Sequence, residues 1–279
     1  MAIVTGLVDL GRWESRQRSC AEYIAQAKSL LSCPFPLILF SDADNREELL
    51  SLRPKQASTH WLDAEFHPSE DELAVLTQGL EKSTIPWNPS KDTARYFCLM
   101  REKVRWLRRA ALINPFASEC LWWIDIGYLH TTYDDLERVL SKAPPVGQIR
   151  LGELSYVPRT VREDRHRFYY SHWWPVGGGV LAARPAEFEW LDEQLDAEWR
   201  WTIEHHMPVT DEMMLGFIRY QHPERFDVYY ADHCSLLTNY IAARDSHPLI
   251  VAMAKRALED GNVVEAAARL NAIVPHIAV

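Results

Sequence analysis

Several things are missing from this chain, and each absence narrows what it can be. No apolar run approaches the roughly 20 residues that a membrane-crossing helix needs, so no membrane span is expected. The cysteines Cys20, Cys33, Cys98, Cys120 and Cys234 are odd in number, widely spaced and without a CxxC pair. That pattern fits reduced thiols packed as small apolar residues, hence a cytoplasmic protein. An excess of basic charge is also missing. The formal net charge of −9 argues against nucleic acid as the main partner, because phosphate backbones select basic surfaces. The opening "MAIVTGLVDL" has no basic region and too short an apolar run, so no signal peptide is expected. There is no repeat, low-complexity tract or linker, so residues 1–279 read as one domain, with 247–279 as a helical extension.

What is present looks globular. Hydrophobic residues make up 47% and charged residues 25%, enough for a sizeable core. The unusual feature is aromatic: 11 Trp and 11 Tyr gather in "LWWIDIGY", "FYYSHWWP" and "AEWRW". Flat rings serve sugar faces, but for most of these tryptophans the core reading comes first.

Strand-like and helix-like runs alternate, which predicts a mostly parallel sheet flanked by helices. Strands are expected at 2–10, 36–42, 58–62, 121–124, 147–152, in the run "WPVGGGVLAAR", and in "FDVYYAD". Helices are expected at 15–31, 69–81, 92–114, from about Pro185 to Trp201, after Thr210, and in the Ala-rich tail from 247. The clearest is 92–114, where Phe97, Met100, Val104, Leu107 and Ala111 recur at three- and four-residue intervals.

Four places along this map carry chemistry. In "ECLWWIDIGYLHT" a carboxylate, Asp125, interrupts an apolar run. A buried carboxylate needs donors, a cation or a metal, and a strand end at the carboxyl edge of the sheet is where α/β folds bind ligands. Gly127 permits close approach there, and His130 is a further polar candidate. The alternative is a carboxylate that merely caps a turn. The second place, "VTGLVDLGR", sets Thr5, Asp9 and Arg12 at a strand exit, to bracket a nucleotide or simply to form a salt bridge. Third, Gly177, Gly178 and Gly179 interrupt a strand that should want Val or Ile, which suggests close approach of a ligand or another backbone. Fourth, Asp211 and Glu212 head a helix capped by Thr210. The helix dipole alone explains acids there, whereas a cleft-facing pair would supply a base, a nucleophile or a hydroxyl anchor.

In order, "VTGLVDLGR", "REKVRWLRRAALINPF", "WWIDIGYLH", "VGGGVLAA" and "TDEMMLGF" resemble the bacterial HtrL/YibB family over roughly residues 2 to 240. That family resembles the GT-A class of nucleotide-sugar glycosyltransferases. The back half is also similar to the blood-group-type galactosyltransferases, in which a Gly-Gly strand, a helix and an Asp-Glu pair build the acceptor side. The resemblance implies a GT-A-like (Rossmann-like) α/β single domain that moves a sugar from a nucleotide-sugar donor to an acceptor hydroxyl of a glycan or small glycoside. It implies Thr5, Asp9, Arg12, Lys103, Asp125 and Gly127 on the donor, and Asp211 and Glu212 as catalytic residues. His130, Trp174 and Gly177–Gly179 would line the acceptor or sugar pocket. Similarity to the blood-group-type enzymes implies retention of configuration. Asp125 matches the first acid of the GT-A Asp-x-Asp motif, implying a divalent cation, Mn²⁺ or Mg²⁺. The second acid is here Gly127, so Asp232 or His233 would complete the sphere, or Lys103 or Arg12 would neutralise the diphosphate without metal.

Other readings fit less well. Sugar-nucleotide pyrophosphorylases carry a Gly-rich basic loop after the first strand, where this chain has "DLGR". A Rossmann methyltransferase or dehydrogenase would want its glycine fingerprint directly after a strand, and no Walker lysine follows the glycines here. The rival of a different kind is a non-catalytic nucleotide-sugar or carbohydrate-binding protein on the same fold.

Overall fold

A computed structural model of the chain describes residues 1–128, 136–143, 146–171, 173–241 and 246–273. Its seven strands are β1 (Ala2–Leu7), β2 (Leu37–Ser41), β3 (Thr59–Asp63), β4 (Leu121–Ile124), β5 (Ile149–Glu153), β6 (Val176–Ala183) and β7 (Phe226–Tyr230). They form one sheet in the order β3-β2-β1-β4-β6-β5-β7. β1 pairs in parallel with β2 and β4, β2 with β3, and β5 with β7, while β6 runs antiparallel to both its neighbours. The mostly parallel α/β sheet expected from the alternation is therefore the architecture of this chain.

The helices are α1 (Cys20–Leu31), α2 (Arg46–Ser51), α3 (Glu70–Lys82), α4 (Ala94–Ile113), α5 (Leu136–Ser141) and α6 (Arg159–Arg162), then α7 (Arg165–Tyr170), α8 (Glu187–Glu204), α9 (Asp211–Gln221), α10 (Thr238–Ile241), α11 (His247–Glu259) and α12 (Val263–Asn271). Local chemistry sets their starts. Ser19 and Glu22 form a reciprocal capping box, so α1 begins at residue 20 rather than 15. Thr93 caps α4 through the Tyr96 N–H, and Asn114 ends it in the left-handed conformation.

Both faces of the sheet are covered, which is why β1, β2, β4 and β6 are mostly apolar. Alternate residues point to opposite cores. Val4, Phe40, Trp123 and Leu181 pack with α4, α8 and α9 residues on one side, and Ile3, Leu39, Trp122 and Val180 pack with α1 residues on the other. The adjacent tryptophans Trp122 and Trp123 therefore belong to different cores. Trp106 from α4 stacks on Phe40 with ring centroids 5.5 Å apart, confirming the core role of that tryptophan.

One charged cluster lies within this packing. Glu153, at the end of β5, is fully buried and receives Arg219 of α9 at 2.8 Å and Arg269 of α12 at 2.8 and 2.9 Å. Burial alone would raise its carboxyl pKa, but the two guanidinium groups outweigh it and hold the pKa low. Through this cluster the α11–α12 pair is joined to the helix that carries Asp211 and Glu212.

Candidate active site

The carboxyl ends of β1 and β4 open into a cavity of about 520 Å³, a size suited to a small-molecule ligand. Because β6 runs the other way, its N-terminal glycines reach the same edge. One wall comes from Leu7–Gly11 after β1, another from Asp125–Tyr128 after β4, and a third from Thr210–Glu212 at the head of α9. The stretch 83–93 between α3 and α4 supplies Trp87, Asn88, Lys91 and Asp92.

At the centre sits Lys103, buried on α4, with its ammonium 3.0 Å from Asp125 Oδ1 and 3.0 Å from Asp211 Oδ2. The Trp123 indole N–H donates to Asp125 Oδ1 at 2.6 Å, and the Asp125 N–H donates to the Gly179 carbonyl at 2.9 Å. The question posed by an acid in an apolar run thus has a physical answer: Asp125 is held by a cation and an indole at a strand end. Burial lowers the affinity of Lys103 for its proton, but Asp125 and Asp211 outweigh burial and keep it protonated.

Asp211 and Glu212 share one environment. Asp211 is 2% exposed, and burial raises its pKa against the pull of Lys103. Glu212 is pushed up to about 7, first by burial and next by the charge of Asp211. Its Oε1 accepts the Gly178 N–H at 3.3 Å. The two acids therefore hold a proton between them near neutrality, the state suited to general acid–base work.

The glycines have different jobs. A Cβ on Gly178 would stand 2.4 Å from Asp211 Oδ2, and one on Gly179 would stand 2.9 Å from the Tyr128 ring. These two let the carboxylate pair and the β4 exit close onto the β6 backbone. Gly177 instead faces Leu236, 2.6 Å from where its Cβ would be, and does not line the cavity.

The structure brings together Asp9, Lys103, Asp125, Gly127, Trp174, Gly179, Asp211, Glu212 and His233 around this cavity. Trp174 is 46% exposed and meets the His233 ring edge-on at 6.1 Å, so it is one tryptophan that does not serve a core. Besides Gly177 and Gly178, three residues expected at the site lie off its lining. Thr5 is fully buried and its hydroxyl donates to the Ile124 carbonyl at 2.7 Å, tying β1 to β4 rather than facing the cavity. Arg12 turns away from it to Asp9, Asp42 and Asp44, the last at 3.0 Å. Asp232 caps its own turn by accepting the Cys234 and Ser235 N–H groups at 2.9 and 2.8 Å, and lies off the lining. Lys103 lines the cavity, but its charge is shared between two acids. His130 lies outside the described residues.

Sequence reasoning missed Arg16, Arg18, Lys91, Tyr96 and Tyr128, all on the lining. For Lys91 a signal existed: the Pro- and Asn-containing stretch 83–93 joins two helices and is longer than most connections, and long loops often carry function.

The residues present suit a divalent cation poorly. Among the described residues, no group of three or more His, Cys, Asp and Glu side chains is placed to hold one. Asp125 is already engaged by Lys103 and Trp123. At position 127 a Cβ would meet the Tyr23 ring at 3.2 Å, leaving little room for a second acid.

No protein-family model and no curated protein matches the chain. Among solved structures, it is similar to mouse xyloside xylosyltransferase 1 in its apo form, at 14% identity and TM-score 0.44, covering 81% of this chain and 83% of the other. A galactosyltransferase, LgtC, in complex with donor and acceptor sugar analogues gives 13% identity, TM-score 0.39 and coverage of 78% and 70%. Core-mannan synthase A from Aspergillus fumigatus, in a Mn/GDP form, gives 11%, 0.45, and 81% and 72%. Likeness this distant assigns neither donor nor acceptor.

Proposed function

We propose that this chain is a glycosyltransferase of GT-A type that moves a hexosyl group from a nucleotide-sugar to an acceptor hydroxyl of a glycan or small glycoside. The observation that carries the proposal is the convergence of Lys103, Asp125, Asp211 and Glu212 at the carboxyl edge of the sheet, over the backbone of Gly178 and Gly179. The expected order of motifs and the cavity beside them support it.

In this reading the Asp9 side of the cavity takes the nucleoside diphosphate, and the Trp174–His233 side takes the sugar and acceptor. The bond between the anomeric carbon and the diphosphate oxygen breaks as the acceptor oxygen bonds to that carbon. The acceptor proton passes to a carboxylate. Glu212 is the candidate for that proton or for direct attack on the anomeric carbon, because its affinity for a proton lies near neutral pH. Asp211, fixed by Lys103, orients a hydroxyl. If Glu212 attacks, two displacements give retention of configuration, which NMR of the product anomer reads directly.

The reducing, cytoplasmic setting is part of the proposal. All five cysteines are free, and among the described residues no helix is long and apolar enough to cross a membrane.

The replacement of the second motif acid by Gly127 favours one rival, a binding protein that has lost turnover. A panel of UDP-, GDP-, CMP- and dTDP-sugars, assayed for thermal shift and slow hydrolysis, separates the two. The enzyme hydrolyses at least one donor, and Glu212→Gln abolishes that hydrolysis while keeping the thermal shift. A shift with no hydrolysis under any condition leaves the binder.

A further inference from the structure

We infer that the cleft holds the diphosphate of its donor with protein cations, Lys91 foremost, and without a divalent metal ion. The inference deepens the glycosyltransferase reading and rests on it. Three observations converge on it.

The first is the state of Asp125. Both of its oxygens lie within 3.2 Å of the Lys103 ammonium, and one also accepts the Trp123 N–H. A Mg²⁺ ion binds oxygen at about 2.0–2.1 Å and would have to share this carboxylate with a buried ammonium, against the repulsion of like charges. Second, the supporting ligands do not assemble. Position 127 is glycine with Tyr23 against it, and Asp232 is spent on its own turn. His233 lines the cavity, yet among the described residues no three His, Cys, Asp and Glu side chains group to hold a cation.

The third is a basic lip on the cavity. Arg16, Arg18 and Lys91 all line it. Arg16 Nη1 donates to the Lys91 carbonyl at 2.6 Å, and the Gln17 N–H donates to the Ser90 carbonyl at 3.0 Å, so these two segments are zipped together. Arg16 is itself paired with Glu14 at 3.0 Å. The Lys91 side chain is exposed, with its ammonium over the Tyr96 ring at 5.2 Å, and makes no ion pair among the described residues. It is an exposed point charge on a long stem, on the lining of a cleft that also holds Asp9, Asp92, Asp125, Asp211 and Glu212. An anion between these two segments has the Lys91 ammonium beside it, with Arg16 and Arg18 on the same lining.

The test is calorimetric titration of UDP, GDP, dTDP, CMP and UMP into the full chain, in EDTA and then in Mn²⁺. The expected result is binding of a nucleoside diphosphate in EDTA with a Kd that Mn²⁺ leaves within about twofold. Lys91→Ala should weaken that diphosphate by about tenfold or more, as loss of a charge-assisted contact does, and weaken UMP much less. Because Lys91 is exposed, the variant should fold as the parent does. Binding that appears only with Mn²⁺ overturns the inference, and so does unchanged diphosphate affinity in Lys91→Ala. If none of these nucleotides binds with or without Mn²⁺, the glycosyltransferase reading itself falls and this inference with it; binding of a monophosphate alone overturns only the inference.

Discussion

Replacing Glu212 by Gln should make the protein more stable at high pH and inactive at every pH. Glu212 has its proton affinity raised from 4.5 to about 7, by burial and by Asp211. A group raised on folding binds a proton in the folded state that the unfolded chain would release. Its contribution is therefore fully present below about pH 4.5 and is lost as the pH rises through about 7. At about 1.4 kcal/mol per pH unit, that loss reaches up to about 3 kcal/mol. The proton is shared with Asp211, so the figure belongs to the pair. Gln has no proton to lose, and its side-chain oxygen can still accept the Gly178 N–H. Thermal scans of both proteins between pH 4.5 and 8.5 should thus nearly coincide at the acid end. At pH 8 the variant should melt higher, by roughly 2 °C for each kcal/mol in a chain of this size. Hydrolysis of the donor, measured in parallel, should fall by orders of magnitude. A gap that does not change with pH, or a variant less stable than wild type at pH 8, would refute the assignment of the shared proton.

Lys103→Met leaves Asp125 and Asp211 without their common cation and should cost about 3–5 kcal/mol in urea unfolding, with part regained in Lys103→Met/Asp211→Asn. The deficit should shrink as the pH falls and the acids protonate. Gly178→Ala should abolish transfer, because its methyl would collide with the Asp211 carboxylate; Gly177→Ala presses only on the end of Leu236 and should keep transfer while losing about 1–3 kcal/mol. Arg269→Met should speed hydrogen exchange along α9, since Glu153 would then keep Arg219 as its main counter-charge.

How much of this was readable in advance depended on how local the cause was. Asp125 stood out because a carboxylate among Leu121–Ile124 has few ways to survive. The carboxylate pair stood out because Thr210 marks a helix head. The reversal of β6 was not readable, since an apolar run buried on both faces looks the same in either direction; yet the reversal is what brings Gly178 and Gly179 to the edge of the sheet. The sequence groups Thr5 with Asp9 and Arg12 at the exit of the first strand, and the resemblance sets them on the donor. β1 runs on to Leu7, so Thr5 lies inside the sheet and satisfies its hydroxyl on Ile124. Lys91 and Arg16 sit at irregular positions, 75 residues apart, and no periodicity announces that they meet.

The Glu153 cluster also sets an order of events during synthesis. Glu153 is made 116 residues before Arg269, the partner that engages both of its oxygens. Domains begin to organise while the chain is still emerging, N-terminal parts first. Until α12 has left the ribosome, a carboxylate destined for full burial has chiefly Arg219 to neutralise it, and Arg219 stands on the helix that presents Asp211 and Glu212. Nascent chains that stop short of Arg269 would carry the whole of the cleft sequence and still lack its final clamp, so activity should arrive only once Arg269 has been made and packed.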